Sequence, residues 1–195
     1  MFLCASILLT AAAANATPPE PKAFVEEQIE HFSKILERTD KARFETLKTE
    51  VEKVFDFDGF AKQALSGHWE KATPEQKKRF EGVVQRLVES VYLQKPKKVF
   101  SKHKVEVQKA KVKGTKASVE GIVAREDVDV SVVVKLEQRG DSWIATDVVV
   151  DELSLLEDYQ HQFRTYLDKN KHTIDELIAK LEEKTKENEA KRAKS

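Results

Sequence analysis

The sequence predicts an α+β domain, with helices packed on one face of a curved, mainly antiparallel four-stranded sheet. Three observations carry this. Apolar residues recur at spacings of three and four from Val25 to Tyr92. The period then drops to two between Val105 and Val150, and it returns to the helical spacing from Leu156 to Leu181. The links between the alternating runs are short, as a meander of antiparallel strands requires.

Each element has its own local reason. Residues 1–16 read as a secretory signal peptide. Phe2 to Ala14 carry no charged side chain, and Ala14-Asn15-Ala16 has the small-x-small form of a cleavage site. A basic n-region is missing. The extended Thr17-Pro18-Pro19-Glu20-Pro21 follows. Val25, Ile29, Phe32 and Leu36 line one helical face, and Phe44, Leu47, Val51, Val54 and Phe55 line the next. Asp56 and Asp58 are candidate caps for a short helix carrying Phe57, Phe60, Ala61, Ala64 and Leu65. Thr73-Pro74-Glu75-Gln76 is a capping box with proline at the first helical position. It opens a helix striped by Phe80, Val83, Val84, Leu87, Val88, Val91 and Tyr92 that must end before Pro96.

Four strands are expected. Val105 and Val107 mark the first, and Ala117, Val119, Gly121 and Val123 the second. Asp127 opens the third, with Val128, Val130, Val132, Val134 and Leu136 on one face. Arg139-Gly140-Asp141 turns the chain into the fourth, Trp143 to Val150. Simple alternation puts Trp143 and Val149 against Ile144 and Val148. Leu156, Tyr159, Phe163, Tyr166 and Leu167 form a further helix, and Ile174, Leu177, Ile178 and Leu181 the last. The single domain is therefore drawn over residues 17–181. Residues 182–195, almost all polar or charged, form a solvated helix extension or a frayed tail.

Composition removes several classes. The chain has 195 residues, with 34 Lys+Arg against 34 Asp+Glu, so the net formal charge is zero. That argues against nucleic-acid binding, which wants a basic excess. Outside the N-terminus no apolar run approaches the ~20 residues that span a bilayer. Cys4 is the only cysteine, so residues 17–195 can form no disulfide, thiolate metal site or cysteine nucleophile. His31, His68, His103, His161 and His172 are scattered without metal-ligand spacing, and no metal or cofactor is expected. The glycine-rich and nucleophile-elbow motifs are absent. Asp147 and Asp151 lie four apart on the last strand and are the one carboxylate pair that could do acid–base work; polar strand-end positions are the blander reading. The basic run Lys95-Pro96-Lys97-Lys98, with Lys102 and Lys104, is either a solvated loop or a landing site for acidic head groups or an acidic partner. The aromatic set reads equally as a filled core or as the wall of an apolar cavity.

Two spaced sets of residues then resemble a known family. Phe57-Asp58-Gly59-Phe60-Ala61, Leu65-Ser66-Gly67-His68-Trp69, Ala72-Thr73-Pro74-Glu75-Gln76 and Phe80 form the first. Trp143, Asp147-Val148, Leu153-Ser154-Leu155, Tyr159, Gln162-Phe163 and Leu177-Ile178-Leu181 form the second. Their order and spacing, from about residue 24 to 182, resemble the MlaC or toluene-tolerance family. Three positions depart from that pattern. Ser66 stands where the family usually has Gly, Leu153 where it has Gly, and Gln160 where it commonly has Arg.

The resemblance implies a non-enzymatic periplasmic carrier. Such proteins hold phospholipid tails in an apolar cavity between sheet and helices. They pass lipid between an outer-membrane lipoprotein complex and an inner-membrane ABC transporter. On this chain the expected lining is Phe60, Trp69, Val84, Leu87, Val88, Val91, Tyr92, Val130, Val132, Val134, Trp143, Leu155, Tyr159 and Phe163. The protein is expected to be a monomer that binds no nucleic acid. A periplasmic chaperone or protein-binding module with a filled core, and an enzyme using Asp147 or Asp151, are the rival readings.

Overall fold

The computed structural model describes residues 18–40, 42–93, 104–124, 128–169 and 171–193. The expected signal peptide and the basic run from Lys95 to Lys102 lie outside them. Among the described residues the chain forms α1 (Pro21–Glu37), α2 (Arg43–Val54), α3 (Phe57–Leu65), a 3-10 segment (Ser66–Lys71) and α4 (Pro74–Tyr92). It continues with β1 (Lys104–Lys113), β2 (Lys116–Ala124), β3 (Val130–Arg139), β4 (Ser142–Val150) and β5 (Leu153–Ser154). It closes with α5 (Leu155–Arg164), a π-type segment (Thr165–Lys169) and α6 (Ile174–Ala193).

The strands lie in sequence order as one antiparallel sheet. The expected four strands are joined by a fifth of two residues, too short to show a period. Gly114 and Gly140 adopt positive φ in the two hairpin turns. Asp127 lies outside the described residues, and β3 begins at Val130.

Two register shifts bend the sheet, one between Val107 and Lys109 and one opposite Lys135 and Leu136. The second leaves Thr146 as an extra residue in β4, which reverses the alternation beyond it. Trp143, Ala145, Val148 and Val150 therefore share one face, and Ile144, Asp147 and Val149 the other. This corrects the grouping expected from simple alternation.

α1 lies on the first of these faces, the inner one. Phe24 and Val25 pack there against Ala117, Val119, Leu136 and Trp143. The Trp143 indole N–H donates to the Pro19 carbonyl at 2.8 Å, fixing the entry to α1. Ile35, Leu36 and Leu47 hold α1 to α2. The largest core is purely helical, built by α3, α4, α5 and α6 beside the β4 edge. Aromatic contacts run through it: Phe60 to Tyr159 at 5.9 Å, Tyr159 to Phe163 at 5.5 Å, and Phe163 to Phe80 at 5.5 Å.

α4 and α6 run side by side in the same direction. At their starts Gln76 and Arg79 bond to Asp175, and near their ends Arg86 pairs with Glu189 and Asn188 donates to Ser90. Both helices open with capping boxes, Thr73–Gln76 and Thr173–Glu176. The segment from residue 182 is thus a docked helical extension through Ala193, with Thr185 fully buried. Polar pairs do the docking, so no apolar stripe announced it.

Ser66 ends α3 at φ 52°, ψ −132°, a region that costs a side-chain-bearing residue about 1–3 kcal/mol. This is one of the positions where the resembling family usually carries glycine. Ser66→Gly is expected to raise the unfolding free energy by about 1 kcal/mol, read as a higher midpoint in urea with an unchanged m-value.

Candidate functional site

The inner face of the sheet is apolar along its whole length, but α1 covers only part of it. Register places Ala117, Val119, Gly121 and Val123 of β2 beside Leu136, Val134, Val132 and Val130 of β3. The end near Ala117, Leu136 and Trp143 is packed by α1. At the other end Val105, Val123, Val132 and Val148 are only half-buried. None of them belongs to the three packed clusters formed by the described residues.

This is also the end at which β4 turns through Asp151 and Glu152, both at positive φ, into β5 and directly into α5. Tyr92 ends α4, and Leu155, Asp158 and Tyr159 stand in the first turns of α5. Burial pushes the Tyr92 phenol above its ordinary value, and the Asp158 charge adds to the effect. The Tyr159 phenol is raised further, by burial first and then by Tyr92 and Asp158. Val91 is 45% exposed, Tyr92 48%, and Leu153 76%.

The expected lining residues separate into three groups. Phe60, Trp69, Val84, Leu87, Val88, Tyr159 and Phe163 fall together in the helical core, with Leu155 packed against it. Phe60 and Val84 are fully enclosed there. Trp143 and Val134 belong to the packed end under α1. Val130 is buried, Val132 half-buried, and Val91 and Tyr92 exposed, all outside the three clusters. Val105, Val123 and Val148 were not singled out as lining. Val105 and Val123 are legible in the alternation, whereas Val148 was hidden by the bulge at Thr146.

The carboxylate pair comes apart. Asp147 is 1% exposed on the outer face of β4, and Asp151 lies in the turn beyond the strand. Asp147 is fully engaged. It accepts from Ser154 Oγ at 2.7 Å and from the Leu156 N–H at 3.0 Å, and it pairs with Lys135 Nζ at 2.8 Å. Ser154 in turn caps α5 through the Glu157 N–H. Asp151 accepts from the Ser131 N–H at 3.0 Å. A second buried carboxylate, Asp56, caps α3 at the Gly59 N–H and pairs with Arg139. A Cβ on Gly59 would stand 2.1 Å from Asp56 Oδ2, so only glycine fits this cap.

The histidines stay apart: His31 pairs with Glu50, His68 with Asp168 and His172 with Glu176. No group of three or more metal-ligating side chains exists among the described residues. A shallow cleft of ≈ 110 Å³ lies on the far side of the helical core, between α2, α4 and α6. It holds Lys48 paired with the buried Glu89, whose carboxyl is raised chiefly by burial.

Fold and face together define an α+β domain with an apolar sheet face, one end of which lies outside the packed clusters of the described residues. The family model described as MlaC protein matches residues 22–183, and the chain belongs to that family. No curated relative matches the sequence. Among solved structures the chain is similar to a phospholipid-binding protein from Ralstonia solanacearum, determined in complex with a phospholipid. The TM-score is 0.72 and the identity 19%, over 86% of this chain and 95% of that one. At that identity the likeness establishes the fold.

Asp147→Ala is expected to destabilise the protein by about 3 kcal/mol, because it strands the Leu156 N–H and the Ser154 hydroxyl in a buried corner. Asp151→Asn keeps an acceptor for Ser131 and should change stability by less than about 0.5 kcal/mol. Denaturant titration of both variants checks the contrast.

Proposed function

We propose that this protein is a periplasmic phospholipid carrier that shuttles lipid between the outer membrane and an inner-membrane ABC transporter. The observation that carries the reading is the half-buried far end of the inner sheet face, Val105, Val123, Val132 and Val148, which none of the packed clusters of the described residues includes. Family membership and the phospholipid in the Ralstonia solanacearum protein support it.

The energetics ask for such a surface. A phospholipid with two ordinary acyl chains carries on the order of 28 methylenes, and exposing them to water costs roughly 20 kcal/mol. An apolar face that takes the tails makes loading nearly isoenergetic. Small contacts with donor and acceptor then set the direction. The partners that fit are an outer-membrane lipoprotein complex and the transporter complex, met in turn by a monomer. No nucleic acid is involved.

The carboxylates support binding rather than catalysis. Asp147 has its oxygens occupied by a serine, a backbone amide and a lysine. Asp151 lies in the turn rather than beside it on the strand. Nothing in this arrangement leaves a free acid–base pair.

The test is native mass spectrometry of the full chain, expressed in a bacterial periplasm and purified without detergent, followed by organic extraction. A stoichiometric phospholipid adduct is expected. An apo mass with no uptake from liposomes would instead indicate a filled core and a protein-binding module. Val132→Glu places a charge on the half-buried face and is expected to abolish the adduct while the unfolding midpoint stays within a few degrees. Val88 is a poorer probe, because it lies in the packed helical core and a charge there would unfold the domain.

A further inference from the structure

The chain leaves the sheet at Pro19, builds α1 and α2, and returns at Asp56 to a point beside its start. At the beginning of this excursion the Trp143 indole N–H donates to the Pro19 carbonyl at 2.8 Å. At its end Phe55 bridges to Ala145, and the Asp56 N–H donates to the Ala145 carbonyl at 2.8 Å. Trp143 and Ala145 are successive residues on the inner face of β4, so the two anchors stand about 7 Å apart. A segment held at two such neighbouring points has a ready axis of rotation.

The excursion is a unit. Ile35 and Leu36 of α1 close on Leu47 of α2 in a small cluster of their own, separate from the helical core. Two surfaces hold it to the rest of the fold. Towards the sheet, Phe24, Val25 and Ile29 of α1 and Val54 of α2 lie on the packed end of the inner face. Towards α4 and α6, the cleft of ≈ 110 Å³ intervenes, and the bridge across it is polar. Lys48 Nζ meets Glu89 at 3.3 Å, and Gln85 Nε2 donates to Glu52 at 2.8 Å and to Glu89 at 2.9 Å. Val51 and Leu93, both half-buried, add apolar contact beside it. Glu89 is 5% exposed. Desolvation offsets most of the attraction in a buried ion pair, so this bridge fixes a position with little net stabilisation.

We infer that the α1–α2 hairpin is a flap, hinged on β4 at Trp143 and Ala145 and latched to α4 by Lys48–Glu89 and Glu52–Gln85, whose opening uncovers the inner sheet face for lipid tails. The gating role rests on the phospholipid reading above; the hinge does not. Lengths along the strands favour it. The part of β2 outside the packed clusters, Gly121 to Val123, is about 7 Å long. A lipid tail spans half of a hydrocarbon core of ~30 Å. With Phe24, Val25 and Ile29 lifted away, the apolar face of β2 runs from Ala117 to Val123, about 20 Å.

Two variants move the latch in opposite directions. Lys48→Met leaves Glu89 buried without its cation, and Lys48→Met/Glu89→Met replaces the ion pair by apolar contact. Hydrogen exchange is followed by mass spectrometry on the delipidated full chain, and uptake of a fluorescent phosphatidylcholine from phosphatidylcholine vesicles is timed. In the wild type the amides of α1 and α2 are expected to exchange as one group, about tenfold or more faster than those of α4. Lys48→Met is expected to speed both that group and lipid uptake by about three- to tenfold, and the double variant to slow both below the single one. Unchanged exchange in α4 shows that the core is intact in each. Exchange of α1 and α2 at the rate of α4 in the wild type overturns the hinge, and a flap rate that ignores both variants overturns the latch. Altered exchange with unaltered uptake overturns the gating role. A wild type that takes up no lipid overturns the phospholipid reading and the gating with it, while its exchange reports on the hinge by itself.

Discussion

The edge of β4 is the constraint on which the rest of the structure depends. Two helices begin on it, and each is pinned there by a buried carboxylate. Phe55 pairs with Ala145 and the Asp56 N–H donates to the Ala145 carbonyl at 2.8 Å, so the chain enters α3 from a sheet bond. Asp56 then caps α3 and takes Arg139 from β3. Two residues further along β4, Asp147 bonds the Leu156 N–H at the start of α5 and takes Lys135 from β3. In both cases an acid meets the positive end of a helix and a cation from the neighbouring strand. The cations are partly exposed, so their attraction is screened. The buried amide bonds are the stronger part of each pin.

These pins place the helical core beside the sheet rather than over it. α3, α4, α5 and α6 complete their own apolar cluster, with Phe60 and Val84 fully enclosed. On the inner face Phe24, Val25 and Ile29 of α1, joined by Val54 of α2, pack in the cluster that holds Trp143. The valines at the other end are half-buried and belong to none of the packed clusters of the described residues.

Much of the fold is legible in the sequence, because burial imposes its period on the residues that pack. The stripes of α1 to α4 and the valine alternation of β2 and β3 are such cases. The parity of β4 is not, because the extra residue at Thr146 depends on pairing with β3 and has no local signature. β5 is too short for a period, and residues 182–193 dock by ion pairs and amides that look like solvated positions. The site is legible only as a list of apolar residues. Val84 and Val91 lie seven apart on one stripe, yet Val84 is enclosed and Val91 is exposed. What separates them is tertiary packing, which periodicity does not carry.

The three departures from the family pattern acquire different physical meanings in the fold. Ser66 occupies a backbone conformation that favours glycine, so its substitution is paid in strain. Gln160 donates through Nε2 to the Gln63 carbonyl at the end of α3, at 3.2 Å, and so caps the last turn of that helix with a neutral donor. Leu153 adds an exposed side chain, cross-strand from Val150, at the end where the inner face lies uncovered. The first change weakens the scaffold, the second leaves a helix end satisfied without a charge, and the third enlarges the apolar rim. Two of the three lie on α5 or the strand that leads into it. That is the segment which the Asp147 pin holds and on which Tyr159 stands. A displacement of α5 would move Gln160 and the exposed Leu153 together with the Asp147 anchor, which couples the stability of that corner to the position of both.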